Sequence, residues 1–334
     1  MNYPSIFTKT SRNPFVILLI SFLVSFATTE YFKDVSGAEE FPSREIRLVV
    51  PYGPGGAVDI GSRLFADKVE KILGVPVVVV NNNAGGGAVG TLSVSQAKPD
   101  GYMLLATTTG LLVLKPMMTP ELSYRYTDFT PICRTYDIPA ALWVKNEAPW
   151  KNLKELVDYG KKNPGTLRAS GGPAGSFLSV LINMFRTEAG IDIAIIPTTG
   201  GTAQSAALMG GHAELCMDPI ASSISFLRAG RVRVLASTHK IKEFPAIRTF
   251  AEEGLPGINL QEWHGIYGPK GLPKAIVTKL TKAFEKASSD PSMLEQMGKL
   301  YMLPAYQDSD ETYKTLESAR ESIYNSLKQS GLIK

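Results

Sequence analysis

The stretch Ile46-Arg-Leu-Val-Val-Pro-Tyr-Gly-Pro-Gly-Gly56 decides the fold, because an apolar run of β character breaks there into a glycine-proline turn and opens a helical pattern. The same order of events recurs at once. Val75–Val80 leads into Asn82-Asn-Ala-Gly-Gly-Gly-Ala-Val-Gly90 and a second helical pattern. Glycine tolerates positive φ and lets a ligand approach the backbone closely. A helix that begins in such a turn points N–H groups, and the positive end of its dipole, at whatever lies beyond. Two of these turns on neighbouring parallel strands predict a cradle for an anion.

Outward from this stretch, strand and helix alternate. Asp59–Leu73 is expected to be a helix with Ile60, Leu64, Phe65, Val69, Ile72 and Leu73 on one face, stopped by Gly74. The wholly apolar Val75–Val80 reads as a parallel strand covered on both faces. A short helix over Ala88–Ala97, the turn Pro99-Asp-Gly101 and a strand over Tyr102–Ala106 complete a βαβαβ start. After one long extended stretch, Phe129–Lys145, the series begins again. Its helices are Leu153–Lys162, one through Glu188 and one ending at Met209. Its strands are Leu167–Ala169, Ile191–Ile196, Ala213–Met217 and Val232–Ala236. Helices over Lys274–Ser288, with Pro273 at its start, and Asp310–Lys328 return to the first lobe. The expected class is α/β: two lobes, each a mainly parallel sheet flanked by helices, joined by two crossings. Lobe 1 is residues 43–138 plus 263–334, and lobe 2 is 139–262. Ligands in such sheets bind beyond the carboxyl ends of the strands, where the glycine-rich loops lie.

Composition narrows the function. The 334 residues are 44% hydrophobic and 20% charged, with a net charge of +4 and no long basic run, so nothing points to nucleic acid. Lys9 and Arg12 precede an uncharged run, Phe15–Ala27, that is short for a membrane span and reads as a secretory signal. Cleavage after Ala27 or after Ala38 fits, and the mature chain is expected free in the periplasm. Cys133 and Cys216 could pair or remain two buried thiols.

Catalytic and cofactor patterns are mostly missing. Gly85-x-Gly87-x-x-Gly90 has the spacing of a dinucleotide fingerprint, but it follows the second strand of the lobe, and the next strand ends in Thr107-Thr-Thr109 where an acid would be needed. His212, His239 and His264 are too scattered for a metal site, and His212 reads as a turn residue. Ser170 and Ser176 have no evident base; both suit a helix cap that also meets a ligand. Asp59 and Asp218 sit by the cleft loops, where an acid would repel a carboxylate unless it met an amine, a hydroxyl or water. The cleft loops contain neither Arg nor Lys, so an anion there would rest on N–H dipoles.

Several of these stretches, taken together, resemble the Bordetella-uptake-gene (Bug) family, the periplasmic receptors of tripartite tricarboxylate transporters. They are Arg47–Asp59, Val80–Gly90, Lys98–Leu105, Ala169–Ser176, Pro197–Gly201, Gly210–Leu215 and Glu262–Gly265 with Gly271–Pro273, in family order. The resemblance implies a two-lobed periplasmic binding protein that closes on a small organic carboxylate, di- or tricarboxylate above all, and serves membrane permease subunits without a cofactor or enzymatic activity. It implies that Gly55, Gly56, Ala57, Gly87, Ala88, Thr107, Thr108, Ser170, Ser176, Gly200 and Gly201 line the site, to which Asp59 and Asp218 are added from the residues. Asn82-Asn-Ala84 stands where the family commonly has Lys-Pro-Gly, Ser179 where histidine is frequent and Thr198 where tyrosine is. A monomer is expected. The alternatives are a ligand-loaded sensor for a signalling partner and a Rossmann-type oxidoreductase.

Overall fold

The computed structural model describes residues 40–172, 175–198, 202–258, 260–329 and 331–333. The signal-like segment, Gly200 and Gly201 lie outside them.

A six-stranded sheet carries β1 (Ile46–Val50), β2 (Val77–Asn81), β3 (Met103–Thr108), β4 (Phe129–Asp137), β10 (Trp263–Pro269) and β11 (Leu303–Gln307), in the order β11-β4-β10-β3-β1-β2. A five-stranded sheet carries β5 (Ala140–Lys145), β6 (Leu167–Ser170), β7 (Ile193–Ile196), β8 (Leu215–Pro219) and β9 (Val232–Ser237), in the order β7-β6-β8-β5-β9. The two orders are the same pattern. In each, the first strand is flanked in parallel by the second and third, and an antiparallel strand entered from the other sheet lies beside the third. That entering strand is β10 in the larger sheet and β5 in the smaller. Both sheets are therefore mixed, parallel where the glycine-rich turns are and antiparallel where the chain crosses. The stretch Phe129–Lys145, read as continuous, divides into β4 and β5, one in each sheet, with Ile138-Pro139 between them. The Ile138 N–H donates to the Glu262 carbonyl (2.8 Å), so the two crossing segments are tied to each other.

Helix α1 (Ala57–Leu73) buries Phe65, Ala66 and Val69 and ends at Gly74, whose positive φ of 72° lets its N–H return to the Glu70 carbonyl. Helix α2 (Ala88–Ser95) follows β2. β2 itself differs from expectation: it is the edge of its sheet, and Val78 and Val80 are exposed, so the apolar run does not mark a strand covered on both faces. After β3 comes a π-helical turn, Gly110–Leu114, wholly buried, and a single helical turn α3 (Lys115–Met118).

Helices α4 (Leu153–Lys162), α5 (Phe177–Ala189), α6 (Thr202–Met209) and α7 (Ile220–Arg228) flank the smaller sheet. Helices α8 (Lys274–Ser288), α9 (Pro291–Lys299) and α10 (Ser309–Gln329) return to the larger one. Packing of α8 and α10 on β4 places this tail with the first sheet. One hydrophobic cluster runs from Val49, Leu105 and Leu112 into Leu142, Leu167 and Phe185, joining the two sheets by burial of apolar surface. A second cluster, built on Trp143, Cys216 and Val232 of the smaller sheet, is completed by Tyr301, from the turn after α9. Tyr301 has a left-handed φ of 56°, stacks on Phe244 (5.4 Å between centroids) and accepts a hydrogen bond from Arg228 (3.1 Å). Cys133 and Cys216 are buried free thiols on strands of different sheets.

Candidate functional site

The two sheets share a cavity of about 200 Å³. Its wall includes Tyr52 and Gly53 of the first turn, Ala57 and Val58 of the first turn of α1, and Ser176, Phe177 and Leu178 at the start of α5. Pro219, which caps α7, and Ser222 add a third helix start. The first N–H groups of a helix have no acceptor within it, so three helices turn their positive ends toward this space, although the Ile220 N–H already donates to the Pro139 carbonyl (2.9 Å) and the Ser179 N–H to Ser176 Oγ. The cavity has room for several waters or a small organic acid.

Among the residues expected to bind, Ala57, Ser176 and Asp218 line the cavity. Ser176 also caps α5, its Oγ accepting from the Ser179 N–H (3.4 Å). Gly56 is the N-cap of α1 in extended conformation, one residue from the wall. Gly55, Asp59, Gly87, Ala88, Thr107, Thr108 and Ser170 are not among the wall residues. The Gly55 N–H donates to Asp59 Oδ2 (2.9 Å). Gly87 and Ala88 direct their N–H groups back into their own loop, to the Asn83, Ala84 and Gly85 carbonyls. Gly86, not Gly87, reaches the wall. A Cβ on Gly87 would stand 2.6 Å from the Pro51 carbonyl oxygen, and one on Gly90 would stand 2.4 Å from that of Asn82. The fingerprint spacing thus reflects close backbone packing of this loop, not room for a pyrophosphate. Ser170 is fully buried and donates to the Gln204 carbonyl (3.0 Å), and Thr107 is buried in β3. Exposed His212 lies in the turn after α6, while His264 is buried between Ser62 and Thr135.

Asp59 is buried and saturated. It accepts from the Gly55 N–H, from Asn81 Nδ2 (2.8 Å) and from Arg63 Nε (3.2 Å). Burial opposes its charge, but the bonds from Arg63, Gly55 and Asn81 outweigh that and hold its carboxyl below the ordinary value. Its work is to fasten the first turn to α1 and β2.

Three functional-looking residues, Lys115, Glu262 and Gln204, were not singled out from the sequence. Lys115, on α3, lines the cavity and donates from Nζ to the Gly85 (3.1 Å) and Gly86 carbonyls. The wall therefore does hold a cation, brought by the helix after β3 and not by a glycine loop; burial lowers its pKa. Glu262, at the second crossing, faces the cavity and accepts from Thr108 Oγ1 (2.6 Å), which in turn meets the Tyr52 hydroxyl (2.8 Å). Burial pushes the Glu262 carboxyl up to about 7, and the Thr108 bond only partly opposes this. Asp218 behaves likewise: burial raises it to about 7, against hydroxyl bonds from Ser223 (2.7 Å) and Ser205 (3.0 Å). Gln204 completes this side of the wall. An acid directly before the strand Trp263–Pro269 was the available signal for Glu262.

The family model described as tripartite tricarboxylate transporter family receptor matches residues 62–331. A curated relative from Bordetella pertussis, a protein of the UPF0065 group, is 33% identical over 261 residues, covering 77% of this chain and 80% of the relative. Among solved structures, R. palustris Rpa4515 with adipate is 25% identical with a TM-score of 0.83, covering 87% of this chain and 99% of that one. MatC from Rhodopseudomonas palustris, with bound malate, is 26% identical with a TM-score of 0.76, covering 87% and 100%.

Proposed function

The chain belongs to the tripartite tricarboxylate transporter receptor family, and on that premise we propose that it captures a small organic carboxylate in the periplasm and delivers it to the membrane permease subunits of such a transporter. The family and the fold are those of solute-binding proteins, and two similar structures hold adipate and malate. The observation that carries the reading is the shared cavity, into which helix starts from both sheets converge. A carboxylate there meets helix starts from both sheets, and closure that excludes water makes each dipole worth more than in water. Lys115 adds positive charge on the first-sheet wall.

Residues 43–138 plus 263–334 form one lobe in this reading, residues 139–262 the other, and the tied crossings at Ile138 and Glu262 form the hinge. A ligand that contacts both lobes binds the closed arrangement better and shifts the population toward it. The protein acts as a monomer, exported by its N-terminal signal. It carries out no reaction.

A thermal-shift screen of organic acids tests this. Ligands binding only the folded state raise the melting temperature, so dicarboxylates are expected to stabilise and NAD to leave the transition unmoved. Stabilisation by NAD but by no carboxylate would sink the receptor reading.

A further inference from the structure

Glu262 brings a carboxyl to the wall of a cavity read as an anion site, and a hydroxyl rather than a cation meets it. It stands at the second crossing and is 9% exposed. Thr108 Oγ1 lies 2.6 Å from its Oε1, and the Tyr52 hydroxyl lies 2.8 Å from Thr108 Oγ1. A hydroxyl carries one hydrogen and can also accept, so this relay suits both states of the acid. With Glu262 ionised, Tyr52 donates to Thr108 and Thr108 to the carboxylate. With Glu262 protonated, the carboxyl donates to Thr108 and Thr108 to Tyr52. A proton can come and go there without stranding a buried polar atom.

The groups around Glu262 do not take over that role. Tyr52, from the first turn, and Tyr136, from β4, are phenols that burial keeps protonated. His264, on β10, is lowered to about 3 by burial and stays neutral. The Gly110 turn, against which Oε1 lies, adds no charge. Asp59 of α1 is already bonded to Arg63. Elsewhere on the wall, Asp218 at the end of β8 is a second acid, and Lys115 Nζ is held by the Gly85 and Gly86 carbonyls. Burial leaves the Glu262 carboxyl poised at about 7. A dianion in a space of about 200 Å³ cannot lie far from any part of its wall. Like charges in a closed, water-poor cavity repel far more strongly than in water. The ligand therefore favours protonated Glu262, and by linkage protonated Glu262 favours the ligand.

Resting on the receptor reading, we propose that capture of a dicarboxylate is coupled to uptake of a proton from water, and that Glu262 receives it. The coupling acts through charge and needs no direct contact between Glu262 and the ligand. It makes the receptor hold its anion more tightly as pH falls and release it more readily as pH rises.

Calorimetric titration with unbranched diacids of four to six carbons, run in buffers of different ionisation enthalpy, counts the protons exchanged. At pH 8 these diacids are already ionised, so uptake belongs to the protein. About 0.4 proton or more per ligand is expected there, with affinity falling at least about threefold between pH 7.5 and 9. Glu262→Gln, which keeps the side-chain shape and cannot ionise, should bring the exchange close to zero and flatten the pH profile. Thr108→Val withdraws the bond that favours the ionised form and should move the pH of greatest uptake upward. That shift decides the assignment where Glu262→Gln does not fold, since a merely structural Glu262 would not produce it. Binding without proton uptake would overturn the proposal and leave the receptor reading standing. So would uptake that persists in Glu262→Gln or a maximum unmoved in Thr108→Val. Absence of binding by every diacid would overturn both.

Discussion

The two sides of the cavity bury an acid each and treat it in opposite ways. On the first-sheet side, Asp59 takes bonds from a backbone N–H, an amide and a guanidinium, and stays ionised below its ordinary value. On the second-sheet side, Asp218 has two hydroxyls and deep burial, and its carboxyl is pushed up to about 7. The strand order around them is the same. Topology therefore sets where a loop stands, while the partners supplied by neighbouring side chains decide whether a buried acid stays ionised.

The contrast can be broken most severely through backbone packing. Gly87 has a φ of 88° and faces the Pro51 carbonyl and Leu111 at under 3 Å, so Gly87→Val should cost more than about 3 kcal/mol and leave little folded protein by circular dichroism. Gly172 is the counterpart on the other side, also with positive φ, but its neighbour is the movable Ser176 hydroxyl. Gly172→Ala should cost only about 1–2 kcal/mol. Equal losses would mean that both loops are held alike.

Next in size is removal of the scaffold acid. Asp59→Ala strands the Gly55 N–H and Asn81 without their acceptor, and denaturant unfolding should show a loss of about 2 kcal/mol, modest because Arg63 is half exposed. Asp218→Asn should be neutral or stabilising at pH 8, where the wild-type carboxyl must ionise in a buried place.

A pH series sharpens the same point. Folded Asp218 and Glu262 keep protons up to about pH 7 that the unfolded chain releases near pH 4. The folded state then binds more protons, so their contribution makes stability fall as pH rises from about 4 to about 7. Asp59 has the reverse sign: its stabilisation is present above about pH 4 and is lost as pH falls through its lower folded value. Glu262→Gln should flatten the decline between pH 4 and 7; an unaltered slope would show that this group does not hold the proton. Lys115→Met is expected to act on binding alone, with about a tenfold loss of carboxylate affinity by calorimetry and little change in melting temperature.

Much of this was legible beforehand. Hydrophobic period, the stop at Gly74 and the paired glycine turns announce the alternation of strand and helix, since each is a local preference of the chain. The cavity wall was less legible, because it is made by contacts between residues far apart in sequence. Thr108 meets Glu262 across 154 positions, and Lys115 reaches a loop thirty residues earlier. The glycine loop at 85–87 misled for the same reason. Its composition suits both open donors and dense packing, and only the approach of Pro51 and Leu111 distinguishes them. Edge position likewise hid the exposure of Val78 and Val80.

Tyr301 sits in the core of the smaller sheet although its neighbours in sequence belong to the larger one. During synthesis, the middle of the polypeptide must wait until some three hundred residues have emerged before its own interior can be sealed. A chain ending at residue 300 should thus lose order in a region it still contains in full.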